Sequence, residues 1–237
     1  MTARKRFYKT VTVSDDAAGL VIRLDDRVVR SPAGASATLP SRALAEAVAS
    51  EWDSQGDEID ATSMPLFSLA VTVLDRVTPQ RRAIIDELVA YGGNDLLCYQ
   101  DADDPELGAR QAQGWTPWID WARISLGVEL VVAAGVMPVS QSVDSLAALA
   151  RAVTAHDDWE LGMLYRATTL GGSLVLGLAM LRDEIDSGAL FEAAFLDELW
   201  QAEKWGCDRE AEDRRAGIRA ELDHAHRFLG LVRGGGR

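Results

Sequence analysis

Phe7–Arg30, FYKTVTVSDDAAGLVIRLDDRVVR, decides the fold class. Phe7, Lys9, Val11 and Val13 fall on alternate positions of a β-rich run, and Leu20, Ile22 and Leu24 alternate again. Side chains one residue apart point to opposite faces of a strand, so such runs read as half-buried β structure. Ser14–Gly19 reads as the turn between them, and Asp25-Asp26 as a tight turn into Arg27–Arg30. Ser31, Pro32 and Gly34 then stop the β pattern. A meander this small does not stand alone and needs a helix across one face. Pro40-Ser41 supplies a stop and an N-cap, and Leu44, Ala47, Val48, Glu51 and Trp52 follow at helical spacing.

Beyond polar Gln55–Asp60 the pattern is helical, and Met64-Pro65 marks the change. The expectation is an α+β protein with a small N-terminal α/β domain over 1–63. It is an antiparallel meander with a covering helix. An all-helical domain follows over 64–237. Leu66–Arg76 is one helical stripe, and Pro79 suits the start of the next. Thr116-Pro117 reads as a helix start, with Thr as cap and Pro in the first turn. Val128–Val139 reads as extended, and Asp144–His156 and Asp158–Arg166 as helices. Leu170–Leu181 is too short to span a bilayer and reads as a buried helix. Leu196–Arg215, LDELWQAEKWGCDREAEDRR, reads as one continuous helix, and the Gly234–Arg237 tail as frayed.

The 237 residues carry 37 Asp and Glu against 24 Lys and Arg, for a net charge of −13. That balance disfavours a phosphate-binding surface, so no nucleic-acid partner is expected. It likewise disfavours anionic membranes, and no membrane insertion is expected. Cys98 and Cys207 are too few for a disulfide scaffold, and reduced thiols are expected. Met1–Val13 is basic with no apolar core, unlike a secretory signal, and is too short and polar for a transit peptide. The expected location is bacterial cytoplasm.

No motif for catalysis stands out. His156, His224 and His226 lack metal-ligand spacing. Gly171–Gly177 has no P-loop lysine and no preceding strand, so its glycines read as helix-packing positions. Cys98 sits in an apolar run as an inert thiol. No nucleophile elbow is present, and neither cofactor nor small-molecule substrate is expected. The enzyme alternative is a hydrolase using Glu203 and Asp208 as paired carboxylates. Glu203 shares a helical face with Leu196, Leu199, Trp200 and Cys207, where a carboxylate is costly unless it is paired or functional. It either pairs with an Arg from another helix or meets a partner. Three of the seven tryptophans lie in Trp115–Trp121; core packing is the expected role of Trp115, and interface anchoring the minority one.

Several phrases occur in a specific order: Arg6–Lys9, Glu51–Gln55, Met64-Pro65-Leu66, Asp75-Arg76-Val77 and Asn94–Tyr99, then Gln113–Pro117, Gly171–Gly177 and Gln201–Gly206. Together they resemble the assembly chaperones of the F-type ATP synthase head, the ATP-twelve family. Asn94 stands where that family is expected to carry Thr, and Asp26 where Gly is usual. The resemblance implies a non-enzymatic protein that binds the free alpha subunit and keeps it from aggregating until the beta subunit replaces it. The client interface it implies is apolar and carries an arginine. On that basis Glu203 is expected in a partner-binding surface with Trp200, Trp205, Asp208 and Glu210. Trp52, Trp115 and Pro117 are expected to be structural. The resemblance also implies a small α/β domain beside a larger helical one, in mitochondrial and alphaproteobacterial relatives.

Overall fold

A computed structural model describes residues 4–17, 19–135 and 137–234. The end of the tail, expected to fray, lies outside the described residues. The chain resolves into two compact units. One runs up to Arg81 and takes the chain back from Arg227 onward; the other is Arg82–His226.

The first unit opens with β1 (Arg4–Lys5), followed by β2 (Val11–Asp16) and β3 (Gly19–Leu24). Short strands β4 (Arg27–Val28) and β5 (Thr38–Leu39) complete a four-stranded antiparallel sheet in which β3 pairs with β2, β4 and β5. Strand β2 reaches Asp16, so the first turn is tighter than Ser14–Gly19. The second turn falls at Asp25-Asp26 as expected, with Asp25 in the left-handed region (φ 52). The Asp25 carboxylate accepts the backbone N–H groups of Lys9 and Thr10 and the Thr10 hydroxyl, which fastens the turn to the start of β2. Val21 and Ile22 point to opposite faces of β3, yet both are fully buried, so both faces of that strand are covered.

Helix α1 (Arg42–Asp53) crosses this sheet, capped by Ser41, whose hydroxyl accepts from the Leu44 N–H. It buries Leu44, Ala45, Val48 and Trp52. Strand β6 (Glu58–Ile59) pairs with β1. Helix α2 (Pro65–Thr72) starts at the expected Met64-Pro65 step and passes into a π turn at Val73–Val77. It has no side-chain cap of its own. Instead the Glu51 carboxylate from α1 accepts the Leu66 and Phe67 N–H groups, both at 2.8 Å. That contact fixes the angle between the two helices.

The second unit is mostly helical. It contains α3 (Arg81–Gly93, Arg81 excepted), β7 (Tyr99–Gln100), α4 (Pro105–Trp121), a π turn at Ala122–Leu126 and β8 (Ala133–Ala134). Strands β7 and β8 form a two-residue parallel pair, so this unit is not purely helical. Helices α5 (Val143–Thr154), α6 (Asp158–Gly171), α7 (Leu174–Leu181), α8 (Ser187–Ala194) and α9 (Leu196–Trp205) follow. Helix α10 (Arg209–Val232) begins here and ends in the first unit.

Every residue of α7 is buried, as the apolar run predicts, and Gly172 (φ 69) separates it from α6. A Cβ on Gly177 would come within 2.7 Å of the Thr168 Oγ1 and 3.0 Å of the Leu164 Cδ1, so glycine is what lets α7 close on α6. Buried Asp95 accepts the Leu97 and Val175 N–H groups and holds the start of α7.

The helix start expected at Thr116-Pro117 is not one. Helix α4 begins twelve residues earlier, with Asp104 as its cap and Pro105 in its first turn. Asp104-Pro105 is the same signal as Thr116-Pro117, and Pro117 instead sits exposed inside the helix, leaving one carbonyl without its N–H. Buried Trp115 anchors that helix by donating its indole N–H to the Ala193 carbonyl at 2.9 Å. Among the described residues no helix is long and apolar enough to cross a membrane.

Candidate functional site

The stretch expected as one helix over Leu196–Arg215 is two. Helix α9 ends at Trp205, Gly206 takes φ 86, and α10 starts at Arg209. Gly206 ends the helix at φ 86 and ψ 167, outside the left-handed helical region and in backbone space that essentially only glycine occupies, a signal that the surrounding run of strong helix formers masked.

Cross-links hold the corner. Glu198 of α9 receives Arg214 at 2.5 Å and Arg215 at 3.6 Å, both from α10. Arg215 is nearly buried and also donates to the Cys207 sulfur. From the other side, Arg110 of α4 meets Glu203 at 2.6 Å, and Lys204 meets Glu106 at 3.0 Å and Asp104 at 3.6 Å. The Glu203 hydrogen bond pushes the Arg110 pKa up, and the bond to Glu106 does the same for Lys204. The Lys204 ammonium also lies 4.2 Å from the Trp200 ring centre.

The five residues expected at a partner surface therefore separate. Trp200 is buried, with its indole N–H unpartnered among the described residues, and packs edge-on to Trp205 at 5.4 Å. Glu203 is not in an apolar arc: its side chain is 60% exposed, and of its two expected roles the structure realises pairing with an Arg of another helix. The helical wheel misplaced it because the apolar stripe of α9 runs through Leu196, Leu199 and Trp200 only, and the wheel beyond Trp205 does not exist. Trp205 is 72% exposed. Asp208 and Glu210 are exposed with no ion partner among the described residues. The corner thus carries an exposed indole at the end of α9 and, within five residues of sequence, two exposed carboxylates without an ion partner among the described residues, on a base held by Arg110, Arg214 and Arg215. Sequence reasoning offered an arginine of another helix for Glu203 without identifying Arg110, and read Arg214 and Arg215 as solvated helix charges. Arg110 is 93 residues from Glu203, and nothing local announces such a contact.

This geometry suits recognition of an apolar surface bearing a cation. It suits acid–base catalysis poorly. Glu203 is engaged by Arg110, Asp208 lies past the break, and both are open to water, whereas an acid–base pair works best in a dry pocket. Among the described residues no group of three or more His, Cys, Asp or Glu could hold a metal ion. Cys98 is buried, with its thiol pushed up to about 12 by burial, while Cys207 is exposed; both are free.

The three residues expected to be structural lie away from this corner in sequence. Trp52 is buried between Tyr8 and Phe67, edge-on to both at 5.9 and 5.0 Å. Trp115 is buried as described, and Pro117 is exposed.

Residues 5–123 match the family model for the ATP12 chaperone protein. The chain is 22% identical over 221 residues to the mitochondrial protein atp12 of Schizosaccharomyces pombe, covering 88% of this chain and 76% of that one. The crystal structure of Atp12 from Paracoccus denitrificans superposes with a TM-score of 0.94 at 38% identity, over 97% of this chain and 98% of the other. A solved structure from Agrobacterium tumefaciens superposes with a TM-score of 0.90 at 35% identity, over 98% and 86% of the two chains.

Proposed function

Because the chain belongs to the ATP12 chaperone family, we propose that it assists assembly of the F-type ATP synthase head by holding the free alpha subunit until the beta subunit displaces it. The observation that carries the choice of contact is the corner at Trp205, where an exposed ring ends α9 and the exposed carboxylates of Asp208 and Glu210 follow within five residues of sequence. An unassembled subunit exposes interface that is apolar and, by the family resemblance, carries an arginine. Indole and carboxylate together complement that chemistry. Glu203 acts by fixing α9 against α4 through Arg110, and by adding to the negative field. The work is binding without turnover, with no cofactor. Likeness to two bacterial proteins supports a bacterial cytoplasmic setting.

The test mixes this protein with the alpha subunit and follows light scattering on warming. Suppression at near-equal stoichiometry, relieved by beta subunit, is the expected result. Trp205→Ala should raise the Kd roughly tenfold, as loss of an interface anchor does. Glu203→Ala should weaken binding more than Glu46→Ala at an exposed position of α1. Scattering unaffected by the folded wild-type protein would remove the reading, and equal losses in the two Glu variants would remove Glu203 from the site.

A further inference from the structure

Seven large apolar side chains are recorded as exposed among the described residues, and five of them lie between positions 124 and 143. Ile124, Met137 and Val143 are 76%, 73% and 83% exposed, and Val131 and Val132 are about half as open. Singly exposed apolar residues need no explanation, but a cluster confined to one segment does.

The segment is also held rather than loose. Arg182 donates to the Ser125 carbonyl, and Gly127 (φ 68) closes the π turn with the Val128 N–H on the Ala122 carbonyl. Buried Ser145 takes both backbone groups of Glu129: it accepts the N–H and donates to the carbonyl. Buried Gln141 does the same for Val131 through its amide. Strand β8 then pairs with β7. Two buried polar side chains are thus committed to holding the backbone at Glu129 and Val131, next to the exposed Val131 and Val132, while Ile124 faces water from the π turn and Val143 from the start of α5. Fixing a strip before it meets a ligand lowers the entropy lost on binding.

Two carboxylates stand within the same strip. Glu129 and Asp144 are exposed, and neither has an ion partner among the described residues. We infer that the exposed side chains of Ile124, Val131, Val132, Met137 and Val143 belong to a second docking surface for the unassembled client subunit, recognising an apolar strip of that subunit flanked by Lys or Arg. The inference rests on the chaperone reading above and extends it to a surface of the helical unit that the corner at Trp205 does not include. Complementary charge selects that occupant: a second copy of this chain, at −13, would bring like charge to Glu129 and Asp144.

The experiment uses the full chain and purified alpha subunit. Ile124→Asp with Met137→Asp places charges where both side chains already face water, so the melting temperature should hold within a few degrees. If it does not, Val143→Glu serves instead, since a carboxylate in the first turn of α5 is favoured by the helix dipole. The expected result is at least a tenfold rise in the chaperone concentration needed to suppress scattering, with Glu129→Lys weakening binding in the same direction. Full suppression by a folded variant at wild-type concentration would overturn the inference and leave the chaperone reading intact. A wild-type dimer that the same variants make monomeric, with client binding unchanged, would overturn it in favour of self-association. Failure of the wild type itself to suppress scattering removes the chaperone reading first, and this inference with it.

Discussion

Trp52 shows how much one side chain carries. Its ring is caged by Tyr8 and Phe67, its carbonyl accepts the Tyr8 hydroxyl at 2.6 Å, and the Arg6 guanidinium lies 4.6 Å from the Tyr8 ring. Trp52→Arg would bury a second guanidinium in that apolar cage without a carboxylate partner. A loss of roughly 3 kcal/mol or more in urea unfolding is expected. An unchanged midpoint would show that Trp52 is dispensable to the fold. Asp95 gives a pH signature. Burial raises its pKa to about 6 despite hydrogen bonds from Ser173, Leu97 and Val175 that oppose the shift. The folded value lies above the unfolded one, so its stabilising contribution is complete below about pH 4 and is lost as pH rises through about 6. Relative to Asp95→Asn, the wild type should lose roughly 2 kcal/mol between about pH 4.5 and about pH 7. A difference independent of pH would mean that the carboxyl is ionised throughout.

At the level of elements, the decisive feature is the break after α9. Gly206 holds φ 86, where a Cβ is strained, and nothing lies within 4 Å to obstruct one sterically. At ψ 167 the position is essentially glycine-only, so Gly206→Ala should cost about 1–3 kcal/mol through backbone strain alone. It should also weaken client binding, because relief of the strain draws Trp205 and Asp208 toward a continuous helix. Stability lost with affinity retained would detach the corner from client binding. The same break marks what could be read in advance. The meander, the α2 start at Met64-Pro65 and the buried α7 followed from local periodicity, which registers burial within one element. Three readings failed: the continuous helix through Gly206, the start at Thr116-Pro117, and the apolar setting of Glu203. Each depended on a choice between equally good local signals that only tertiary contacts make. Arg214 and Arg215 reach back to Glu198, and Trp115 to Ala193, across separations that propensity does not sense. The pairing of Glu203 with an arginine of another helix was one of its two expected roles; that the arginine is Arg110, and that Arg214 and Arg215 meet Glu198, was not legible.

Across the molecule, the first unit is built from both ends of the chain, which no composition shift near Met64 announces. The end of α10 belongs to it, and Phe228 and Leu229 are buried. Ser41 joins the two ends. Its hydroxyl oxygen accepts the Leu44 N–H as the α1 cap, and its hydrogen goes to the Leu231 carbonyl at 2.6 Å. Two substitutions separate these duties. Ser41→Ala removes both and should cost about 2 kcal/mol, a cap plus one hydrogen bond. Ser41→Asp keeps a good capping oxygen but has no proton to give and sets a carboxylate against the Leu231 carbonyl. If the tie to α10 stabilises the unit, Ser41→Asp should be at least as damaging as Ser41→Ala in thermal unfolding followed by circular dichroism. If Ser41→Asp matches wild type, only the cap counts, and the return of the C-terminal residues rests on burial of Phe228 and Leu229. Phe228→Ala would then remain costly, by roughly 3–5 kcal/mol, as for other buried aromatic truncations.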